Sequence, residues 1–298
     1  AWALADRWES GDFDRSTVMD GRKLVGMLAD WTAPVHSGNT RWIIPFLAAQ
    51  EACNLDRLPS SRVSRSMGWI NGGRSGFLLG TQHIPNPDDE KAAVTLLPPE
   101  NLDHVADGFR PAGTYAGWFE AIAPALSRPL AMVGIYASVA APLVPLLGCP
   151  NFLVDFSGTS SRGKTLTAKI GISVWGNPDE RKGSPMLSFD NTPVHLETVS
   201  AFLGGGLPVV VDESQKATRN DDIQRFVYSF ANGMGKGRGS AGGGVRRTGR
   251  WSTCGITTGE RKLTGFTTAT GTRARVLSMI GAPFGQDATE NGKKEREG

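Results

Sequence analysis

The stretch Phe152-Leu-Val-Asp-Phe-Ser-Gly-Thr-Ser-Ser-Arg-Gly-Lys-Thr165 decides the fold of this chain. It consists of a short apolar strand followed by G-x-x-x-x-G-K-T, the pattern of a phosphate-binding loop. The two glycines of the pattern allow positive φ, so the backbone can turn its N–H groups toward an anion. Residues 166–175 are predicted to form a helix whose positive amino end faces the phosphates. This context favours nucleotide binding over a glycine loop that occurs by chance.

Every residue of this loop has a predicted part in binding ATP and Mg²⁺. We expect Lys164 to reach the β- and γ-phosphates as a compact cation. The hydroxyl of Thr165 suits Mg²⁺, which prefers oxygen ligands. The residues predicted to hold the nucleotide are Gly158, Thr159, Ser160, Ser161, Arg162, Gly163, Lys164 and Thr165.

A second apolar strand, residues 207–211, ends in the carboxylates Asp212 and Glu213. We predict that Asp212 holds Mg²⁺, largely through water, and that Glu213 polarises the attacking water. The 48-residue separation between Lys164 and Asp212 leaves room for a strand and a helix. It favours the ATPase division that has an extra strand and a catalytic glutamate; the alternative is an apolar strand that ends in Asp-Glu by chance. We expect Lys164 and the carboxylate pair to meet across adjoining strand ends and to enclose a magnesium-bound triphosphate.

The composition is that of an ordinary globular protein, with 39% hydrophobic and 20% charged residues and a net charge of +3. Cys53, Cys149 and Cys254 lack CxxC spacing, which favours a reducing compartment such as the cytoplasm over a disulfide framework or a zinc site. Residues 1–16 carry interspersed charges, so we expect no signal peptide. The uncharged segment 130–149 is long enough to span a bilayer. Because it contains Pro142 and Pro145, we predict instead a buried helix packed against the sheet, and no membrane contact.

We predict three parts in the chain. Residues 1–110 form a smaller, mixed α+β N-terminal domain in which we find no catalytic constellation. Residues 111–286 alternate between strand and helix patterns, which predicts an α/β fold, a P-loop NTPase core with a parallel sheet flanked by helices. Residues 287–298 form a polar tail that we expect to be disordered.

Capping and turn signals predict the bounds of several elements. The predicted helices are 21–31, 42–54, 115–125 with Thr114 as N-cap, a helix from Thr192-Pro193 to Gly204, and 221–232. The predicted strands include a hairpin of 69–70 with 77–79 around Asn71-Gly72, and the segments 185–190, 251–256 and 276–280.

Residues 235–250 contain five cations, no carboxylate and many glycines. A basic, glycine-rich loop or hairpin suits a phosphate backbone, which binds through charge. The alternative is a mobile, solvated loop. The residues predicted to bind DNA are Lys236, Arg238, Arg246 and Arg247.

Three further polar residues of interest follow this segment. Thr258 comes after the strand 251–256, where a polar residue can sense the γ-phosphate and orient water. Arg273 and Arg275 precede the last strand, and an arginine there could stabilise transition-state charge at a neighbouring subunit's nucleotide. The alternative for both arginines is a surface ion pair.

Four segments together resemble domain-of-unknown-function family 927, helicase-like ATPases of phages, plasmids and mobile islands. The resemblance covers roughly residues 60–285 and is far more specific than the loop alone. The segments are Gly113-Thr114 with Trp118; Gly158 to Thr165 followed by Ser173-Val-Trp175-Gly176; Asn232-Gly-Met-Gly-Lys-Gly-Arg238; and Thr257-Thr-Gly-Glu260.

The resemblance implies an AAA+ core similar to ring helicases of the minichromosome-maintenance and superfamily 3 kinds. In those families a hairpin before the sensing residue grips DNA in the ring channel, a role that falls here on residues 236–250. An arginine from the next subunit, Arg273 or Arg275, is also implied. The resemblance also implies a helical lid with a second sensing arginine after the last strand; we expect either that the sequence is a truncated form or that the lid is absent.

The leading hypothesis is therefore an ATP-hydrolysing, helicase-like DNA motor that supports replication of a phage or mobile element. We expect single-stranded or forked DNA as a partner, a homo-oligomeric ring, most simply a hexamer, and an accompanying primase. A nucleotide-dependent regulatory switch or scaffold that does not move along DNA is the main alternative. A small-molecule kinase is a third possibility, disfavoured by the loop-to-carboxylate spacing and the basic glycine segment.

Overall fold

A computed structural model describes residues 2–4, 7–9, 15–30, 33, 35–58, 61–89, 93–239, 245–246, 248–267 and 269–285. The chain divides into two compact units, residues 1–60 and residues 61–298. Residues 61–109 thus belong to the same unit as the residues after 110. The domain boundary near residue 110 stays a proposal, and the tail 287–298 lies outside the described residues.

Among its described residues, the first unit contains a short antiparallel hairpin and three α-helices. In the hairpin, Trp2 pairs with Glu9 and Leu4 with Arg7. The helices predicted over 21–31 and 42–54 are confirmed to within one or two residues at either end. The elements are β1 (Trp2–Leu4), β2 (Arg7–Glu9), α1 (Arg15–Val18), α2 (Gly21–Asp30) and α3 (Thr40–Cys53).

The second unit begins with five short strands and one short helix. The predicted hairpin is confirmed, since Trp69 pairs with Phe77 and the turn places Asn71 and Gly72 at positive φ. Gly68 lies so close to Gly205 that a Cβ atom on Gly68 would be 2.3 Å from the Gly205 carbonyl group. The elements are β3 (Arg62–Ser64), β4 (Gly68–Trp69), β5 (Phe77–Leu79), β6 (Gln82–Ile84), β7 (Val94–Leu96) and α4 (Asp103–Asp107).

The main sheet of this unit has five parallel strands in the order β14-β8-β13-β10-β9. Two of these five strands, β10 and β13, are buried along their whole length, as expected for a parallel sheet covered on both faces. The strands are β8 (Phe152–Ser157), β9 (Leu187–Ser188), β10 (Val209–Asp212), β13 (Cys254–Gly259) and β14 (Val276–Ile280), and β11 (Arg238–Gly239) with β12 (Val245–Arg246) forms a separate hairpin. The helices are α5 (Tyr115–Leu126), α6 (Pro129–Ala140), α7 (Leu143–Leu147), α8 (Lys164–Ile172), α9 (Pro193–Phe202), α10 (Asn220–Asn232) and α11 (Thr270–Arg273).

The apolar segment 130–149 is divided between α6 and α7 and is not one long helix. Helix α6 packs onto the sheet side of the unit: the Ser138 hydroxyl donates to the Gly171 carbonyl at 2.6 Å, and the Cys254 thiol to the Ala137 carbonyl at 2.8 Å. These contacts confirm that the first part of the segment packs against the sheet. The prediction of one buried helix is wrong, because the chain breaks between α6 and α7 and Leu143 and Leu147 are exposed. None of the helices in the described ranges is long and apolar enough to cross a bilayer.

Two predicted strands were wrong in their bounds. The strand predicted over 251–256 runs instead from Cys254 to Gly259, since its ladder with β8 pairs Cys254 with Phe152 and Gly259 with Ser157. Trp251 lies before the strand and donates its indole N–H to the Phe230 carbonyl at the end of α10. The strand predicted over 185–190 is reduced to β9, which pairs only at its two residues with β10.

Candidate nucleotide-binding site and basic hairpin

The predicted phosphate loop connects β8 to α8. Gly158 and Gly163 have φ angles of +143° and +82°, and Ser161, between them, also has positive φ. A Cβ atom on Gly163 would lie 2.6 Å from the ring of Phe284, so the position requires glycine for space as well as for conformation. The backbone therefore curls as the pattern predicted. The N–H groups of the first turn of α8 have no acceptor within the helix, which makes this end suited to an anion.

Lys164 lies inside the curve of this loop. Its side chain is buried, with Nζ donating to the carbonyl oxygens of Gly158 at 3.0 Å and Thr159 at 2.7 Å. Burial lowers the pKa of Lys164, while the nearby carboxylates of Glu260 and Asp212 oppose that shift. The amine is thus held where a phosphate group on the loop would meet it.

Thr165 and Asp212 meet at the carboxyl end of the sheet. The Thr165 hydroxyl donates to Oδ1 of Asp212 at 3.2 Å. Asp212 is buried, and this burial raises its pKa, while hydrogen bonds from Thr258 and Thr165 oppose the rise. A hydroxyl and a carboxylate oxygen in contact are ligands of the kind that Mg²⁺ prefers.

The strand that leads to Lys164 through the loop, β8, and the strand that ends in Asp212, β10, do not adjoin, contrary to our expectation, because β13 lies between them. The inserted strand brings Thr258 against both of the predicted carboxylate residues. Its hydroxyl donates to Oδ1 of Asp212 and accepts from the backbone N–H of Glu213 at 3.0 Å. Thr258 thus stabilises the end of β10. That Thr258 also senses the γ-phosphate stays a prediction.

Glu213 has a backbone conformation that is uncommon for its residue type. Its φ of +60° lies in the left-handed region, which non-glycine residues seldom adopt. The turn directs the chain from β10 into a short 3₁₀ segment, in which Lys216 forms an ion pair with the Glu213 carboxylate. The Thr258 hydrogen bond to the Glu213 amide compensates for part of the strain.

One residue at this end of the sheet, Glu260, was missed as a site residue. It follows β13 directly and accepts a hydrogen bond from the Ser160 hydroxyl in the phosphate loop. A carboxylate just beyond the carboxyl end of a buried parallel strand is the sequence signal that could have identified it.

The remaining residues of the predicted loop lie between β8 and α8. Thr159 and Ser160 are exposed, Ser161 is exposed at the tip, and Arg162 is half-buried beside Gly163. The structure thus brings together the loop, Thr165, Asp212, Glu213 and Thr258 at one end of the sheet.

Arg273 and Arg275 lie at the opposite end of the sheet. Strand β14 begins right after Arg275 and pairs Val276 with Leu153, at the amino end of β8. A strand of five residues places this point about 15 Å from the phosphate loop of the same chain. Arg275 donates to the Ala231 carbonyl at 2.7 Å, whereas Arg273 is exposed.

The basic segment forms an antiparallel hairpin in which Arg238 pairs with Arg246. Arg247 lies outside the described residues. Arg238 donates at 2.7 Å to Glu197, a buried carboxylate on α9 that also accepts from the backbone N–H of Lys236 at 3.3 Å. Arg238 therefore anchors the base of the hairpin to α9, and its contact with DNA stays a prediction, as for Lys236, Arg246 and Arg247.

Comparison with known proteins identifies a family that matches this chain and a solved structure with the same fold. The family described as a domain of unknown function (DUF927) matches residues 14–251. No curated protein matches the chain. A solved structure described as the active helicase Cch of SCCmec type IV has the same fold, with a TM-score of 0.68 at 20% sequence identity. The match covers 94% of this chain and 51% of that one, so the sequence spans about half the length of the solved protein.

Proposed function

This chain belongs to the DUF927 family, and we propose that it acts as an ATP-hydrolysing, helicase-like DNA motor in the replication of a phage or mobile element. Its fold is that of a protein described as an active helicase, which supports a nucleotide-driven activity on DNA.

The meeting of Lys164, Thr165 and Asp212 at one end of the sheet carries this proposal. The curled loop offers backbone N–H groups and an ammonium group to phosphates. The contact between the Thr165 hydroxyl and the Asp212 carboxylate, 3.2 Å long, offers oxygen ligands to Mg²⁺. These residues fit a magnesium-bound triphosphate, with Thr165 and Asp212 as the metal-binding pair.

The side chains around this pair have the chemistry that hydrolysis needs. When bound, ATP supplies the phosphoanhydride bond, and Mg²⁺ neutralises its charge. Glu213 accepts a proton from the attacking water, because it is a carboxylate adjacent to the metal-binding Asp212. Thr258 positions the Asp212 carboxylate through one hydrogen bond and the backbone of Glu213 through the other.

We propose an AAA+ type core that assembles as a homo-oligomeric ring, most simply a hexamer. The inserted strand β13 supports this type, since it places a polar residue between the phosphate loop and the carboxylates. The location of Arg273 at the far end of the sheet supports a role at a neighbouring subunit, because it cannot reach the loop of its own chain. A primase is the proposed companion enzyme.

Single-stranded or forked DNA is the proposed track. The hairpin β11–β12 belongs to the basic segment that precedes β13 and Thr258 in the chain. Movement of the hairpin can therefore be transmitted along β13 to the nucleotide site. The charge of the segment supports binding to phosphates and not to bases.

The test of this proposal is ATP hydrolysis by the whole protein with Mg²⁺, measured with and without single-stranded DNA and alongside separation of a forked duplex. We expect DNA to stimulate hydrolysis several-fold and strand separation to require ATP. Hydrolysis that DNA does not change, with no strand separation, would favour a regulatory switch. Transfer of phosphate to a small acceptor would favour a kinase.

A further inference from the structure

A large groove lies between β3, α9 and the base of the basic hairpin, all in the second unit. Its volume is about 1370 Å³. Sites for small molecules usually occupy roughly 300–1,000 Å³ and are mostly apolar. The size and the charged lining of this groove therefore point to a polymer and not to a small ligand.

The groove carries more cations than carboxylates. Among its described lining residues the single carboxylate is Glu197, which is buried and already accepts from Arg238. Arg62 forms an ion pair with Asp89 at 2.8 Å. Lys236 and Arg250 are exposed, and neither forms an ion pair with another residue of the described part of the chain. The cationic lining residues are Arg62, Arg65, Lys236, Arg238 and Arg250.

The two walls of the groove come from distant parts of the sequence. One wall is β3 and the residues that follow it, which take no part in the nucleotide site. The other wall is the stem of the hairpin, where Gly235 donates to the Gly249 carbonyl at 3.0 Å and so holds Lys236 and Arg250 near each other.

Apolar side chains also line this groove. Val63 on β3 and Val194 on α9 are 56% and 48% exposed, and Trp69 lines the floor with its indole N–H bonded to the Pro142 carbonyl at 2.8 Å. A single strand exposes both phosphates and base faces, whereas a duplex hides the base faces in its stack. A charged groove with apolar and aromatic walls is the arrangement that binds single strands without sequence preference.

We propose that this groove is a binding site for single-stranded nucleic acid, in which Lys236 and Arg250 contact phosphates and the β3 wall, including Val63 and Arg65, lies against the strand. The inference deepens the proposed function and rests on its claim that the protein binds DNA. It adds β3 to the nucleic-acid surface and gives Arg250, the last residue of the basic segment, a contact with phosphate.

The first test is the salt dependence of binding to a fluorescent oligothymidine, measured by anisotropy with the whole protein. In the wild type, log K falls as log[salt] rises. The double variant Lys236→Ala/Arg250→Ala should make this negative slope shallower by about 0.7 for each phosphate that is no longer neutralised, and so by about 1.4 for two phosphates. The matched control is Arg181→Ala/Lys182→Ala, which removes the same charge from an exposed turn outside the groove. That control should leave the slope unchanged. Oligouridine of equal length, run in parallel, distinguishes RNA from DNA.

The second test is photo-cross-linking from the β3 wall. Val63→Cys is made in a Cys53→Ser/Cys149→Ser background and labelled with an azide reagent. Cys254 does not compete, because burial raises its pKa to about 12. The comparison protein carries only Cys53→Ser. Its accessible thiol is therefore Cys149, which is exposed and lies outside the groove. We expect cross-links to the strand from position 63 and few from position 149.

Equal slopes for the groove variant and the control, with no more cross-linking from position 63 than from position 149, would overturn the groove and the predicted role of Lys236. Binding of the strand by the wild type would then have to come from the other cations of the hairpin, and the proposed function would stand. A wild-type protein that binds no single strand would contradict the proposed function as well. ATP binding by each variant checks that the protein has folded.

Discussion

Replacing Glu213 with glutamine should lower the rate of ATP hydrolysis by about 10²–10⁴-fold, the usual contribution of a general base. The amide has the shape of the carboxylate but cannot accept a proton from water. ATP binding should change little, because Lys164, Thr165 and Asp212 keep their contacts. Steady-state phosphate release and calorimetric ATP binding measure the two quantities separately.

The control for this variant is Glu120→Gln, which makes the same chemical change at an exposed position on α5. It should hydrolyse ATP at the wild-type rate. Wild-type turnover in Glu213→Gln would remove Glu213 from its role. Glu260 would then be the next carboxylate to replace, since it is bonded to the phosphate loop through Ser160.

Replacing Arg273 with alanine should reduce hydrolysis by about 10³–10⁵-fold in the assembled protein, the effect of removing an arginine that stabilises transition-state charge. We favour Arg273 over Arg275 because Arg275 is bonded to the Ala231 carbonyl, whereas Arg273 is exposed. ATP binding should be retained, since Arg273 lies far from the loop of its own chain.

Two comparisons make this result specific. Arg275→Ala should lower stability by about 1 kcal/mol, the value of one hydrogen bond, without a comparable loss of turnover. Mixing Arg273→Ala subunits with Glu213→Gln subunits should restore part of the activity, because some interfaces then combine an intact site with an intact arginine. Full activity in Arg273→Ala alone would contradict the assignment, and no recovery on mixing would exclude action between subunits.

The sequence was sufficient to predict the parts of the site that one short segment specifies. The phosphate loop needs glycines and a lysine at fixed spacing, and Asp212 follows a run of buried valines, so both could be located by pattern. Helix starts marked by a capping threonine were also predictable, as Thr114 and Thr192 both accept the expected backbone hydrogen bond.

Contacts between distant segments were not predictable. Thr258 bonds to Asp212 across 46 residues, and Glu260 to Ser160 across 100, because both depend on β13 entering the sheet between two earlier strands. Arg238 was predicted only as a DNA contact, since nothing in its own segment indicates the buried Glu197 on α9. The groove was missed for the same reason, as its walls lie more than a hundred residues apart.

The most direct test of the nucleotide site is calorimetric binding of ATP with and without Mg²⁺, for the wild type, Lys164→Ala and Lys169→Ala. The second lysine lies on the same helix and is paired with Glu180, so it is a matched control. We expect Mg²⁺ to strengthen binding to the wild type and to Lys169→Ala, and Lys164→Ala to bind at least about tenfold more weakly, the equivalent of about 1.4 kcal/mol. Equal affinity in all three proteins, or affinity that Mg²⁺ does not change, would contradict a triphosphate site built from Lys164, Thr165 and Asp212.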